Sequence, residues 1–265
     1  MEKHVVIGIS RQMILESFLV FGVIGIILVF FYRQAVQEFR ILQTESLEKA
    51  MPLLHERCPI VVLPIQQPQQ LWTRDDIEQR PSLKQLLING VKLQTAIQQV
   101  SFPLQPAVAE SIATQVGLPV WVKQTFLPQF QNSSWWTPIL TARSEVTIGA
   151  QGLRQTYAYS TILLATEGTL SVSLLNESSD AYLPSKWIGK RVSKLTRDEA
   201  PLLHQIQYID VLVRPGSALL LPPHWKVCWE TQGSETQTKP CLAVWIEMHH
   251  PLSSFVRSAS FRSLR

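Results

Sequence analysis

The sequence predicts a mainly β domain, a double-sheet jelly roll with flanking helices, preceded by one transmembrane helix. Three observations carry that reading. Beyond Pro119 the chain is a succession of short β-rich runs separated by Pro, Gly and Asn turns. Residues 13–32 are almost wholly apolar, enough helix at ~1.5 Å per residue to cross a ~30 Å hydrocarbon core. Between Arg214 and Glu230 the chain reads Arg-Pro-Gly, an apolar run, Pro-Pro and an aromatic run, which is the tight corner of a small barrel.

A length of 265 residues fits one sizeable domain with an accessory segment. The formal net charge of +4 is too small, and the basic residues too scattered, to argue for nucleic-acid binding, and no nucleic-acid partner is expected. Cys58, Cys228 and Cys241 have no CxxC spacing and make no zinc motif. Cys228 and Cys241 fall on neighbouring predicted strands, where they either pair or remain buried thiols.

Residues 1–12 form an N-terminal tail. The span 13–32 has no polar residue between Phe18 and Phe31. It has no polar face for a core helix, and Arg-Gln-Ala-Val after Tyr32 offers no cleavage site, so an uncleaved single-pass anchor in a lipid bilayer is expected. Lys3 and Arg11 before the span balance Arg33 and Arg40 after it, leaving orientation undetermined. Sequons at Asn132 and Asn176 matter only for a lumenal or extracellular domain. Residues 33–57 read as a polar helical stalk or linker with a thin stripe of Val36, Phe39, Leu42 and Leu47. It serves as a stalk, a homo-oligomerising coil or a strut packed on the domain.

The domain proper is expected over 58–251. Ile60–Leu63 is a short strand. Thr73 caps a helix whose first turn holds Asp75 and Asp76. A second helix begins at Pro81 and ends near Asn89-Gly90, and a third follows Pro106. Predicted strands are Val120–Lys123, Glu145–Ile148, Thr156–Ala165, Leu170–Leu175, Tyr208–Val213, Ala218–Leu221, Trp225–Glu230 and Cys241–Met248, with an insertion at Trp187–Leu203. Residues 252–265 are a basic tail.

The order of these parts resembles the cupin-like branch of the JmjC 2-oxoglutarate oxygenases. The resemblance rests on Pro59–Val62 and Trp72, Ile148-Gly149-Ala150-Gln151-Gly152, Gly168, Arg214-Pro215-Gly216, Leu221-Pro222-Pro223-x-Trp225 and the last strand, Leu242–Glu247. It covers roughly Pro59 to Pro251. It implies a double-stranded β-helix, the cupin jelly roll. In active members it also implies Fe(II) held by His-x-Asp on one strand and His on another, with sites open for 2-oxoglutarate and dioxygen.

Here that pattern breaks. The family's His after Pro-Pro-x-Trp falls at Val227, and its His-x-Asp window falls at Gln155 and Tyr157, or slides to Tyr157 and Tyr159. The Lys that meets 2-oxoglutarate falls at Leu170. His224 lies an odd number of residues from Val227 and so points to the other face. Trp225, Trp229 and Trp245 are expected to fill the barrel. Tyr157, Tyr159, Arg154, Arg214, His224, Trp225 and Trp245 remain as barrel-mouth or pocket residues.

No catalytic residue, metal ligand or cofactor is predicted. The sequence is read as a membrane-anchored, non-catalytic binding or scaffolding module with a protein partner. The alternatives are an Fe(II)/2-oxoglutarate hydroxylase with atypical ligands from His204, His224, His249 or His250, metal-free chemistry in the barrel, and an oligomeric structural membrane protein.

Overall fold

A computed structural model describes residue 16 and residues 19–24, 39–65, 71–132, 139–232 and 241–251. Residues 1–38 and 39–265 form separate units. In the first unit, residues 19–24 are helical, with Leu19, Val20, Phe21, Val23 and Ile24 exposed. Most of the predicted span 13–32 lies outside the described residues. Among the described residues no helix is long and apolar enough to cross a membrane.

Among the described residues of the second unit, thirteen strands follow in chain order: β1 (Leu42–Thr44), β2 (Ile60–Val62), β3 (Leu87–Ile88), β4 (Val91–Lys92), β5 (Ser101–Phe102), β6 (Thr141–Gly149), β7 (Gln151–Gln155), β8 (Ser160–Glu167), β9 (Leu170–Leu175), β10 (Ile209–Val213), β11 (Ala218–Leu221), β12 (Lys226–Thr231) and β13 (Leu242–His249). One sheet has the order β1-β2-β11-β8-β13-β6-β5, a second β10-β9-β12-β7, and β3 and β4 form a two-stranded sheet of their own. From β6 onward every pairing is antiparallel and the chain switches repeatedly between the sheets. That order is a jelly roll of the cupin-like kind.

Strand β9 shows how the sequence builds it. Leu170, Val172 and Leu174 enter the core between the sheets, while Ser171 and Ser173 turn outward. Strand β13 lacks alternation because it is covered on both faces. Trp245 and Ala243 meet the inter-sheet core, and Val244, Ile246 and Met248 meet a layer of helices. A third apolar cluster joins Leu153, Leu175 and Cys228, on the outer face of the four-stranded sheet, to Val192 and Ile206 of the insertion after β9.

Two corners close the barrel. At Arg214–Ser217 the Ser217 N–H donates to Arg214 O at 2.9 Å and Gly216 has φ 90°, the conformation a type II turn needs at its third residue. Between β11 and β12, the Thr156 hydroxyl lies 2.6 Å from Pro222 O and 3.1 Å from Trp225 O. Thr156 is fully buried and carries this corner, which has no strand pairing of its own.

Several expectations are corrected. Val120–Lys123 is helical, within Leu118–Thr125. Pro119 sits in its first turn, and the spacing of Leu118 and Val122 buries one face while Val120 stays exposed. Strand β7 was not foreseen, because Gln-Gly-Leu-Arg-Gln has no β-rich signature and is held by pairing with β12. The strand expected from Thr156 begins only at Ser160. Asn89-Gly90 does not end a helix; both residues have positive φ, the geometry of a two-residue hairpin turn between β3 and β4. The polar helix expected over Arg33–Glu56 is interrupted, with residues 33–38 outside the described set. Leu42–Thr44 pairs in parallel with β2, and Ser46 caps a short helix, Leu47–Leu53. Phe39 and Ile41 pack on the inter-sheet core. The Thr73 cap is present, its hydroxyl accepting from Asp76 N–H at 3.2 Å.

Candidate functional site

Large aromatic side chains occupy the barrel interior. Trp229 and Trp245 are fully buried and stack with centroids 5.6 Å apart. Trp229 Nε1–H donates to Gly149 O at 3.2 Å, and Trp245 Nε1–H donates to Glu247 Oε1 at 3.1 Å. Each indole thereby buries its apolar body without leaving its one donor unsatisfied. Trp225 stacks on Phe39 at 6.1 Å and donates to Arg57 O.

A charged cluster adjoins these rings. Arg154 is register partner to Val227 across β7 and β12, so both side chains face inward. The Arg154 guanidinium carbon lies 4.0 Å from the centroid of the Trp245 ring. Its Nη2 is 3.4 Å from Glu145 Oε2 and 3.8 Å from Glu247 Oε1. Glu145 and Glu247 are each only 6 % exposed. Arg143 extends the network, at 3.5 Å from Glu145 and 2.8 Å from Glu110. His249 Nε2 meets Glu247 Oε2 at 2.9 Å.

Burial by itself would raise the Glu247 carboxyl. Hydrogen bonds from His249 and Trp245, together with the charge of Arg154, outweigh burial and hold it at about 2. The buried carboxylate is therefore ionised throughout the physiological range.

The sequence-predicted residues separate into three places. Arg154 and Trp245 meet in the cluster just described. Tyr157 and His224 meet edge to face at the outer corner, centroids 6.4 Å apart. Burial lowers the His224 imidazole below its usual range, against an opposing influence of the Glu177 charge. Tyr159 packs on the helix side of the large sheet, and burial raises its phenol. Arg214 is exposed and serves the turn through its backbone, its N–H donating to Ser217 Oγ at 2.9 Å.

Family metal positions also separate. Val227 and Leu170 are fully buried in the inter-sheet core. Gln155 is paired with outward-facing Lys226, and its side chain accepts from the Tyr157 hydroxyl at 2.9 Å. The residue of β7 that faces Val227 is Arg154, one position before the window counted from sequence.

A valine and a guanidinium offer no lone pair to a cation, and the guanidinium repels one. The residues present do not fit Fe(II). Among the described residues no group of three His, Cys, Asp or Glu is placed to hold a metal. His204 lies in the insertion, His224 at the outer corner and His249 against Glu247. The three cysteines are buried and none is in a disulfide.

Glu145 and Glu247 were missed from the sequence. A signal existed for Glu247, the single charge within Leu-Ala-Val-Trp-Ile-Glu-Met. A carboxylate in so apolar a strand requires a partner. Arg154 was singled out as a pocket residue, but nothing local paired it with Glu145 or Glu247, because it lies on a strand that was itself not foreseen.

No protein-family model matches the chain, and no curated protein matches it. Among solved structures it is similar to hydroquinone 1,2-dioxygenase from Sphingomonas sp. TTNP3 with 4-hydroxybenzoate bound, at 20% identity and TM-score 0.28, covering 42% of this chain and 59% of that one. It is similar to hydroxypropylphosphonic acid epoxidase from S. wedmorenis at 9% identity and TM-score 0.26, covering 42% and 44%. It is also similar to peruvianin-I, a cysteine peptidase from Thevetia peruviana latex, at 18% identity and TM-score 0.26, covering 43% and 54%. The matches thus span about half the length of those proteins, which have unlike chemistries, and the fold stands on the strand order itself.

Proposed function

We propose that the protein is a non-catalytic, cupin-like binding or scaffolding module held at a bilayer by residues 13–32. One observation carries the non-catalytic half. Arg154 lies over Trp245 and opposite Val227, so a fixed organic cation and apolar side chains occupy the barrel interior. Catalysis in such a barrel needs a cleft with converging polar groups open to substrate. Here the acidic groups converge on an arginine instead.

The anchoring half is supported by composition: an apolar run long enough to span, with exposed apolar side chains on its helical residues 19–24. The partner is inferred to be a protein, and +4 scattered charge gives no support for nucleic acid.

The test uses the full chain in mild detergent, reconstituted anaerobically with Fe(II). Iron well below one per chain, with no conversion of 2-oxoglutarate to succinate, is expected. Stoichiometric iron together with turnover overturns the reading. For the anchor, the expected result is retention in the membrane fraction through alkaline carbonate extraction, and release of the intact chain refutes it.

A further inference from the structure

A sheet edge whose backbone groups lack a partner is a template for another strand, and folded chains cover, shorten or charge such edges. Three of the four edges of the barrel sheets are defended in this way. Strand β7 is covered by the insertion, with Leu153 N–H donating to Lys190 O at 2.6 Å and Gly189 N–H to Leu153 O at 2.8 Å. Gly152 permits that approach, since a Cβ there would sit 1.9 Å from the Gly189 carbonyl oxygen. Strand β5 is two residues long and is followed by Pro103. Strand β1 is three residues long and is flanked by the charged Arg40 and Glu45.

The fourth edge, β10, has no such cover among the described residues. It pairs with β9 alone, over five consecutive residues without a bulge, and it holds no Lys or Pro. The outward side chains run Tyr208, Asp210, Leu212 and Arg214, all exposed, with Tyr208 at 48% and Leu212 at 43%. The inward side chains of Ile209 and Val211 pack on the inter-sheet core but are only partly buried, which leaves that flank of the core half-covered.

The side chains also specify what can pair there. When a strand meets its own copy antiparallel about a two-fold axis, residues equidistant from the axis stand opposite one another. An axis at Asp210 sets two carboxylates against each other, and one at Val211 sets each Asp210 against Leu212. An axis at Leu212 sets each Asp210 opposite Arg214 of the second copy, with Leu212 meeting Leu212 and Val211 meeting Val213 between them. Every cross-strand pair is then either apolar or of opposite charge. On β9 the partner of Asp210 is the neutral Ser173 hydroxyl, at 2.6 Å, so the carboxylate charge remains to be matched across the edge.

We propose that the β10 edge is the interface with a second copy of this chain, the two four-stranded sheets continuing into one through antiparallel β10 strands about an axis at Leu212. A contact between two short strands buries little area, so the dimer is weak in solution and strengthens where residues 13–32 confine both copies to one bilayer. That confinement rests on the anchor proposed above; the pairing itself rests on the edge.

The test introduces Leu212→Cys into the full chain in mild detergent, where the buried native cysteines give no background. Cα atoms directly opposite on antiparallel strands lie about 4.5–5.5 Å apart, inside the range a disulfide spans, so a mild oxidant should join two copies. Asp210→Arg or Arg214→Asp sets like charges opposite one another and should weaken the dimer about tenfold, read by sedimentation of the parent chain and by the rate of crosslinking. The double exchange, Asp210→Arg with Arg214→Asp, should restore both, with circular dichroism unchanged throughout. Crosslinking that ignores the single charge changes overturns the proposal, because a coil of residues 33–57 would behave that way. An introduced thiol that reacts with a maleimide but not with a second copy overturns it by showing the edge bare. One that reacts with neither overturns it by showing the edge covered by another segment of the chain. The two readings fail separately: iron-dependent turnover removes the non-catalytic role and leaves the edge, whereas a failed charge exchange removes the edge and leaves the role.

Discussion

Replacing Arg154 by Leu tests whether its guanidinium is the cation that holds the barrel mouth together. The substitution removes a ring contact at 4.0 Å and two carboxylate contacts at 3.4 and 3.8 Å. It leaves Glu145 and Glu247 buried with less compensation. Breaking a buried ion pair costs roughly 3–5 kcal/mol. The Arg154 side chain is 29% exposed and its contacts are long, so water recovers part of that and about 2–4 kcal/mol is expected. With a urea slope of about 2–3 kcal/mol/M, the midpoint should fall by about 1 M at pH 7.

The same cluster sets a pH dependence. Glu247 is held at about 2 instead of 4.5 in the folded chain. A depressed carboxyl stabilises the fold above its unfolded pKa, and that stabilisation is lost as pH falls through the folded value. At ~1.4 kcal/mol per pH unit this is roughly 3 kcal/mol, present above about pH 5 and lost toward pH 2. Urea titrations in detergent, followed by tryptophan fluorescence at pH 7 and pH 3, read both effects. Arg154→Leu should be most damaging at pH 7, and Glu247→Gln in the same chain should offset much of the loss. A variant within about 0.5 kcal/mol of the parent, the range of an ordinary surface substitution, would refute the argument. So would a loss that Glu247→Gln leaves untouched.

Three other substitutions probe the frame. Thr156→Val removes the hydroxyl that meets Pro222 O and Trp225 O, and should cost about 2–3 kcal/mol by denaturation, with Thr156→Ser close to neutral. Gly152→Val drives a Cβ to 1.9 Å from the Gly189 carbonyl, so limited proteolysis should cut the insertion near 187–190 much faster. Val227→His supplies the missing imidazole, yet iron uptake should remain at background until Arg154 is also replaced, because the guanidinium faces that position.

How much of this was legible in the sequence depends on where the signal lay. Strand β9 was read to the residue because Leu-Ser-Val-Ser-Leu-Leu alternates and its two faces meet different environments. The Pro215-Gly216 corner was legible because few conformations satisfy those residues. Strand β7 was not, since a Gly and polar side chains carry no β signal and its pairing with β12 is wholly non-local. The false strand at Val120–Lys123 has the converse cause. β-Branched residues signal strand locally, but Pro119 and the burial of Leu118 and Val122 on one face decide for helix. At the site, Val227 lies within the inter-sheet core and its register partner is Arg154, one position before the window counted from the motifs. On a strand one residue separates the inside from the outside.

That one-residue difference explains why shape and chemistry separate in this barrel. The corner from Arg214 to Glu230 is specified by backbone demands: a positive φ at Gly216, prolines that cannot pair, and the Thr156 hydroxyl beneath them. None of these involves the inward side chains of β7 and β12. Those positions are free to change as long as their volume and charge are balanced. Val227 and Trp229 supply volume, and Arg154 balances Glu145 and Glu247. A metal would need the opposite arrangement, with carboxylates and imidazoles directed at a space no cation of the chain already holds. Here Glu247 is directed at Arg154, His249 and Trp245, so its lone pairs are committed within the fold.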